Sequence, residues 1–160
     1  IPSGTILLET LHVVQCLGSS NLQVDRYLPP SILRTLITPS LQNIANQVGF
    51  NEFADTAENI SPDIFGQIID SHLDEIKNML TKAKEESDSY LDSKKIDAEK
   101  ETVQKLDAEI SRLESLMKVN SSVRAEELEY LHKTKLDVLD SLKNASMRLE
   151  ATRLIVVVPR

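Results

Sequence analysis

The sequence has no tryptophan, one cysteine, four glycines and six prolines, and aromatic residues make up 4% of its 160 positions. The single cysteine, Cys16, rules out an intramolecular disulfide and suits a reducing compartment. Glycine is too scarce for a phosphate-cradling loop, and no GxxxxGK[ST], GxGxxG or GxSxG string occurs. The three histidines, His12, His72 and His132, share no metal-ligand spacing with one another or with Cys16. His12 reads as a hydrogen-bonded sheet residue, His132 as a surface residue and Cys16 as a plain buried thiol. The apolar stretch 6–17 is interrupted by Glu9, His12 and Gln15, has no basic lead-in and is too short for a membrane span. A cytoplasmic protein with no membrane partner is the expectation. A basic excess is also missing. Net charge is −7, with five acids and two bases in 1–62, eleven and six in 63–101, and nine and ten in 102–160. A phosphate-backbone binder usually shows a basic face. Lys133, Lys135, Lys143 and Arg148 are the one local basic set, and a solvated face is the favoured reading for it. Neither a nucleophile with its base nor an anion hole can be assembled, so no enzyme activity, cofactor or metal is expected of these residues.

What is present is helical periodicity. Val103, Leu106, Ile110, Leu113 and Met117 repeat at three and four residues, which predicts one apolar stripe. The stripe resumes at Leu128, Leu131, Val138, Leu142, Ala145 and Leu149. A turn over 119–122 is short enough to force an antiparallel helical hairpin. Positions summing to about 241 then face each other: Leu113 with Leu128, Ile110 with Leu131, Leu106 with Lys135, Val103 with Val138, Ile96 with Ala145. Ser122 is the expected cap of the second helix, with Glu126 and Glu127 in its first turn. The second helix, 123–152, runs into the β-branched string 153–158, a return strand that Pro159 ends.

Upstream, Ser61-Pro62-Asp63 is a strong helix start. Neither glycine nor proline follows Gly66 until Pro159. One helix over 61–118 is therefore expected, about 85 Å long at 1.5 Å per residue. Ile69, Leu73, Ile76, Leu80 and Ala83 are its first apolar section. The stretch 84–102 is nearly bare of large apolar residues, and the expectation is an unbroken, weakly supported helix, with a loop near 87–93 as the alternative.

The N-terminal 60 residues read as a β-hairpin with short helices. Thr5 to Cys16 predicts a long strand covered on both faces. Leu22 to Tyr27 alternates and predicts its antiparallel partner after the Gly18–Asn21 turn. Ser31 to Leu36 reads as a helical turn. Leu41, Ile44, Ala45 and Val48 have helical spacing, with Gly49 as the stop and Phe50 and Phe53 closing an apolar contact. Residues 54–60 read as a loop or short turn. The fold class is α+β: a small antiparallel sheet, from an N-terminal hairpin plus a C-terminal strand, with a long antiparallel helical hairpin. Residues 1–160 are expected to be a single module, and the start at Ile1 reads as an excerpt of a longer chain.

Four strings carry a family resemblance: Ser111–Leu116, Val119-Asn120, Arg124 to Leu128, and Arg148 to Val157. They resemble the form SRLEAL-x-x-VN, a charged turn with Arg, DEL or EEL, and RLDA-x-RLIVV. That form closes the RapA family, bacterial RNA polymerase-associated ATPases of the SWI/SNF type. ILLETLHVVQC and LQVDRYLPPSILRTL resemble its upstream strands and LPPTP-like element. The likeness is weakest over 42–102. Met147 stands where the family tends to carry Trp, and Ser31 replaces Thr after the paired prolines.

The resemblance implies a C-terminal structural and docking module of a factor that reactivates stalled polymerase. ATP, Mg and DNA-gripping chemistry would belong to lobes outside this sequence, so no catalytic residue transfers to it. Implied partners are core RNA polymerase and those lobes, with nucleic acid met only through the parent. The expected contact is the arm tip: Asn120, Arg124, Glu126 and Glu127. Three other readings stay open: a scaffold that only buttresses the lobes, a free-standing coiled-coil dimer, and a nucleic-acid accessory module.

Overall fold

The structure is a computed structural model that describes residues 1–53 and 56–159. The expected loop over 54–60 therefore lies partly outside the described residues, at 54 and 55. The chain is α+β. Strands β1 (Ile6–Gln15), β2 (Ile32–Ile37) and β3 (Ser146–Val156) form one antiparallel sheet in the order β2-β1-β3. Helices α1 (Pro62–Ser71), α2 (Leu73–Val119) and α3 (Ala125–Lys143) supply the rest. Contacts divide the chain into two compact units. The first holds residues 1–13, 32–89 and 149–160, and the second holds 14–31 and 90–148.

β1 forms where expected, and Ile6 to Thr10 are all buried. Its partner does not. Leu22 to Tyr27 is two 3-10 turns, 20–22 and 24–26, joined at Gln23 in a left-handed conformation (φ 49°). The spacing explains this. Val24, Tyr27 and Leu28 are three and four apart, and all three are buried, a helical face rather than a pleated one. The strand comes after the prolines. Pro29-Pro30 hold the chain extended, and Ile32, Thr35 and Ile37 continue it as β2, which pairs Leu8 with Ile37, Thr10 with Thr35 and Val13 with Ile32. The helical turn expected over 31–36 is thus corrected to a strand.

A helix over 41–48 does not form either. Pro39 and Leu41 (φ 62°) make a tight turn in which Leu41 N–H donates to the Thr38 carbonyl at 2.8 Å. The Asn43 side-chain oxygen then accepts from Leu36 and Ala45 N–H at 3.1 and 3.0 Å, so local polar bonding displaces the helix. Ile44, Ala45, Val48 and Phe53 still pack together, beneath Leu7 and Leu36.

The first long helix starts at Pro62 as predicted, but is interrupted at His72. Ser71 Oγ bonds back to the Gln67 carbonyl at 2.7 Å, a contact that bends helices. From Leu73 to Val119 the helix is unbroken, including 84–102. Its buried line matches the expected one at Ala83, Leu106 and Ile110 and departs from it elsewhere. Met79, Ala83, Ser87, Ala98, Thr102, Leu106 and Ile110 are buried, whereas Leu73, Leu80, Ile96 and Val103 are exposed. Four of the seven buried side chains are small. Small residues let a helix approach its neighbour closely, and a reading based on large apolar residues misses them.

Within the second unit α2 and α3 run as the expected antiparallel pair. Leu106, Val138, Leu142, Ala98 and Ala145 share one core cluster with Val14, Tyr27 and Leu28. Lys135 Nζ reaches Asp107 at 2.6 Å, and Lys95 Nζ caps the Lys143 carbonyl at 2.8 Å. Leu113 and Leu128 are both half-buried. Two seam positions shift: Thr102 replaces Val103 and Ala98 replaces Ile96.

α3 ends at Lys143, not at 152, and β3 begins at Ser146, not at 153. Leu, Glu, Ala and Arg favour helix locally. The ten-residue β1 leaves an edge that needs a partner of similar length, and sheet pairing overrides the propensity. The closing aliphatic run is paired as predicted: Val157 N–H donates to the Thr5 carbonyl at 2.9 Å and Gly4 N–H to the Val157 carbonyl at 2.6 Å.

Candidate functional site

The tip of the helical hairpin is built by one asparagine. Asn120 N–H closes the last turn of α2 on the Leu116 carbonyl at 2.8 Å. Its side-chain oxygen accepts from Ser122 N–H at 3.0 Å and Ser122 Oγ at 2.6 Å. Ser122 is thereby committed to the turn and does not cap α3, a correction to the expected role. The capping position belongs to Arg124, whose N–H donates to Glu127 Oε1 at 3.4 Å. Of the four expected contact residues, Asn120 and Glu127 hold the turn together, while Arg124 and Glu126 project from it. All four are exposed. The tip also shows apolar surface that the charge-based reading passed over. Val119 is 83% exposed and Tyr130 57%, with Leu116 also exposed. The signal was available: Tyr130 falls off the Leu128–Leu131 stripe, where an aromatic has no core to enter.

The local basic set does not assemble. Lys135 is paired with Asp107, and Arg148 lies on β3 rather than α3. Exposed Ile96 and Val103, with Leu139, line a groove of about 740 Å³ within the second unit, rimmed by Lys100 and Lys143. It exists because smaller residues took the seam.

His12 is buried, and its Nδ1 lies 3.2 Å from Thr10 Oγ1, which in turn meets Thr35 Oγ1 at 2.7 Å. The expected sheet histidine is what the structure shows. Burial lowers its pKa, opposed by the Asp88 carboxylate and aided by Lys84. His132 is exposed. Cys16 is half-buried and its Sγ donates to the Ser141 carbonyl at 3.3 Å. Burial, then the Asp25 carboxylate, push the thiol pKa up, so it is a poor nucleophile. Among the described residues no group of three or more His, Cys, Asp or Glu could hold a metal, and no helix is long and apolar enough to cross a membrane.

One cluster was not foreseen. Glu9, buried on β1, meets Arg34 of β2 and Arg153 of β3 at 2.7 and 2.6 Å. A glutamate inside a strand that is buried at Ile6 to Thr10 is the sequence signal for such a pair, because a buried carboxylate needs a cation.

The tip turn and the β3 pairing both fall in the strings that carried the resemblance. The family model described as "RNA polymerase recycling family C-terminal" matches residues 1–157. The chain belongs to this RapA C-terminal family. Its relatives include proteins named RNA polymerase-associated protein RapA. The one from Cronobacter sakazakii is 34% identical over 157 residues, that from Haemophilus influenzae 30% over 156, and that from Yersinia pestis 32% over 157. Each alignment covers 98% of this chain but only 16–17% of the relative. The RapA C-terminal match runs through both compact units.

Proposed function

We propose that this chain is the C-terminal docking module of a RapA-type, ATP-dependent factor that recycles stalled RNA polymerase in the bacterial cytoplasm. The family match over 1–157 carries the reading. ATP and magnesium chemistry would reside in other lobes of the longer protein. This chain has no phosphate-cradling motif, so no nucleotide step is routed through its residues. Its own contribution is mechanical. A continuous α2 and a capped reversal hold Arg124 and Glu126 at the tip, where Val119 and Tyr130 are also exposed. Charged groups at a rim set orientation and encounter rate, while an aromatic and an aliphatic supply buried area. The partner surface is core RNA polymerase or the adjoining lobes.

The test is charge reversal at Arg124, Glu126 and Glu127 together, in the full-length protein. The expected result is at least a tenfold loss of affinity for core polymerase in a pull-down titration, about 1.4 kcal/mol. Unchanged affinity, with ATP hydrolysis intact, removes the arm from the polymerase interface. A buttressing role then stands in its place, and it is favoured by the engagement of Asn120 and Glu127 in their own turn.

A further inference from the structure

Most of the first apolar section expected of the long helix stays outside the core. Phe65, Ile69, Leu73, Ile76 and Leu80 are spaced four, four, three and four apart, the line by which a helix normally faces an interior. None of the five is buried, and Phe65, Leu73 and Leu80 are 43%, 44% and 38% exposed. Ile64, beside Phe65 on the same turn, is 52% exposed. Hydrogen bonds carry the line across the interruption at His72. The His72 N–H donates to the Ile68 carbonyl at 3.1 Å, and its carbonyl accepts from Ile76 N–H at 2.9 Å. No residue of α1 is buried; Ile68, half-buried, packs against the cluster of Ile6, Leu8 and Met79. Ten residues are too few for a helix to be stable in water by itself, so α1 is short of the packing its sequence is patterned for. Asp63, Asp70 and Asp74, seven and four apart, flank the line; all are exposed and, among the described residues, make no ion pair. Glu58 and Glu75 add to them, Glu75 meeting His72 at 3.1 Å, and Lys77 is the one base. Residues 58–80 thus carry net −4, and counting from Asp55 makes it −5. The residues of this face belong to the first unit.

We infer that α1 and the first turns of α2 form a docking site for a basic amphipathic helix of a partner protein. An apolar line about four turns long is matched by side chains three and four apart on a second helix. The charge of the rim selects among occupants. A second copy of this chain brings the same net −4 to the contact, and like charges oppose the pairing. Nucleic acid and an anionic lipid surface are repelled for the same reason. A helix with Leu or Ile along one side, flanked by Lys or Arg, satisfies both halves of the face. Its apolar side chains cover Phe65, Leu73 and Leu80, and its cations meet Asp63, Asp70 and Asp74. Docking supplies the packing that α1 lacks, so local opening of α1 is suppressed when the site is filled. The site does not rest on any contact made by the arm.

The full chain is titrated into a fluorescein-labelled peptide of four Leu-Lys-Lys-Leu repeats, followed by fluorescence anisotropy at about 0.15 M salt. One comparison peptide has Glu in place of each Lys, and in another the same residues strictly alternate. Saturable binding of the first peptide is expected, at least about tenfold tighter than that of either comparison. Phe65→Ser with Leu73→Ser keeps every charge and should weaken it at least about tenfold, as should Asp70→Lys with Asp74→Lys. Glu109→Lys with Glu114→Lys makes the same change in net charge at exposed positions outside the face, and should weaken it less than about twofold. Should the Ser pair unfold α1, the Asp70 and Asp74 pair judged against the Glu109 and Glu114 pair still decides. Amide hydrogen exchange in 62–71 should slow at saturation. The assignment is overturned by no saturable binding below about 1 mM, by equal binding of the three peptides, or by equal losses in the two charge-reversal pairs. A dimer in sedimentation that Phe65→Ser dissolves, or retention on phosphatidylglycerol vesicles that Phe65→Ser abolishes, overturns it in favour of that occupant.

Discussion

In the unit that contains most of the sheet, Glu9, Thr10, His12 and Thr35 are buried beside Leu7, Leu8, Leu36 and Ile37. In the unit that contains the helical hairpin, Thr102 is the one buried polar side chain among the described residues, and its hydroxyl bonds its own helix at the Ala98 carbonyl. The first interior is specified by partners that must all be present. The second is specified by shape, with Ala98, Thr102, Val138 and Leu142 fitted closely. A polar network fails abruptly when one member goes, because the others stay buried without compensation. A packed apolar seam fails in proportion to the volume removed.

That contrast can be broken by substitution. Glu9→Gln should have the largest effect, about 3–5 kcal/mol, because it strands two guanidiniums; urea unfolding should show the loss in the midpoint, and a cost under about 1 kcal/mol would make the cluster ornamental. In the hairpin, Leu142→Ala should cost about 3 kcal/mol and Leu113→Ala about 1, following their burial. Equal costs in thermal unfolding would show that the seam extends undiminished to the tip. The mildest test is pH. Burial holds the folded pKa of His12 below the ordinary histidine value of 6.5, so the unfolded chain binds the extra proton. Stability contributed by neutral His12 is complete above about 6.5 and is lost as pH falls from there toward the depressed folded value. His12→Gln should flatten that slope in denaturation curves between about pH 7 and 5, and an unchanged slope would assign it to other groups.

The difference between the interiors also decides what the sequence disclosed. The hairpin followed from Leu106, Ile110, Val138 and Leu142, because its stabilisation is periodic and local in pattern. Its exact seam did not, since Ala98 and Thr102 are invisible to a search for large side chains, and their choice left Ile96 65% exposed. β1 was legible from its burial-ready composition, but its partner was not. The stretch Leu22 to Tyr27 reads as alternating only if Leu28 is left out; with Leu28 buried beside Val24 and Tyr27 the spacing is helical, and the two short turns pack against α3. The boundary at Asn144 was hidden for the opposite reason: Leu149, Glu150 and Ala151 prefer helix, and pairing along β1 overrides them. The tip was readable as an exposed reversal, yet the hydrogen bonds that reserve Asn120 and Glu127 for the turn depend on backbone geometry. The Glu9 cluster joins residues 25 and 144 positions apart, and no local pattern encodes such a meeting.

Gly4 N–H donates to the Val157 carbonyl at 2.6 Å. A polypeptide that enters at one leaves from beside the other. Because these two positions are adjacent, splicing the segment between them into an unrelated loop is expected to need only a short linker on each side.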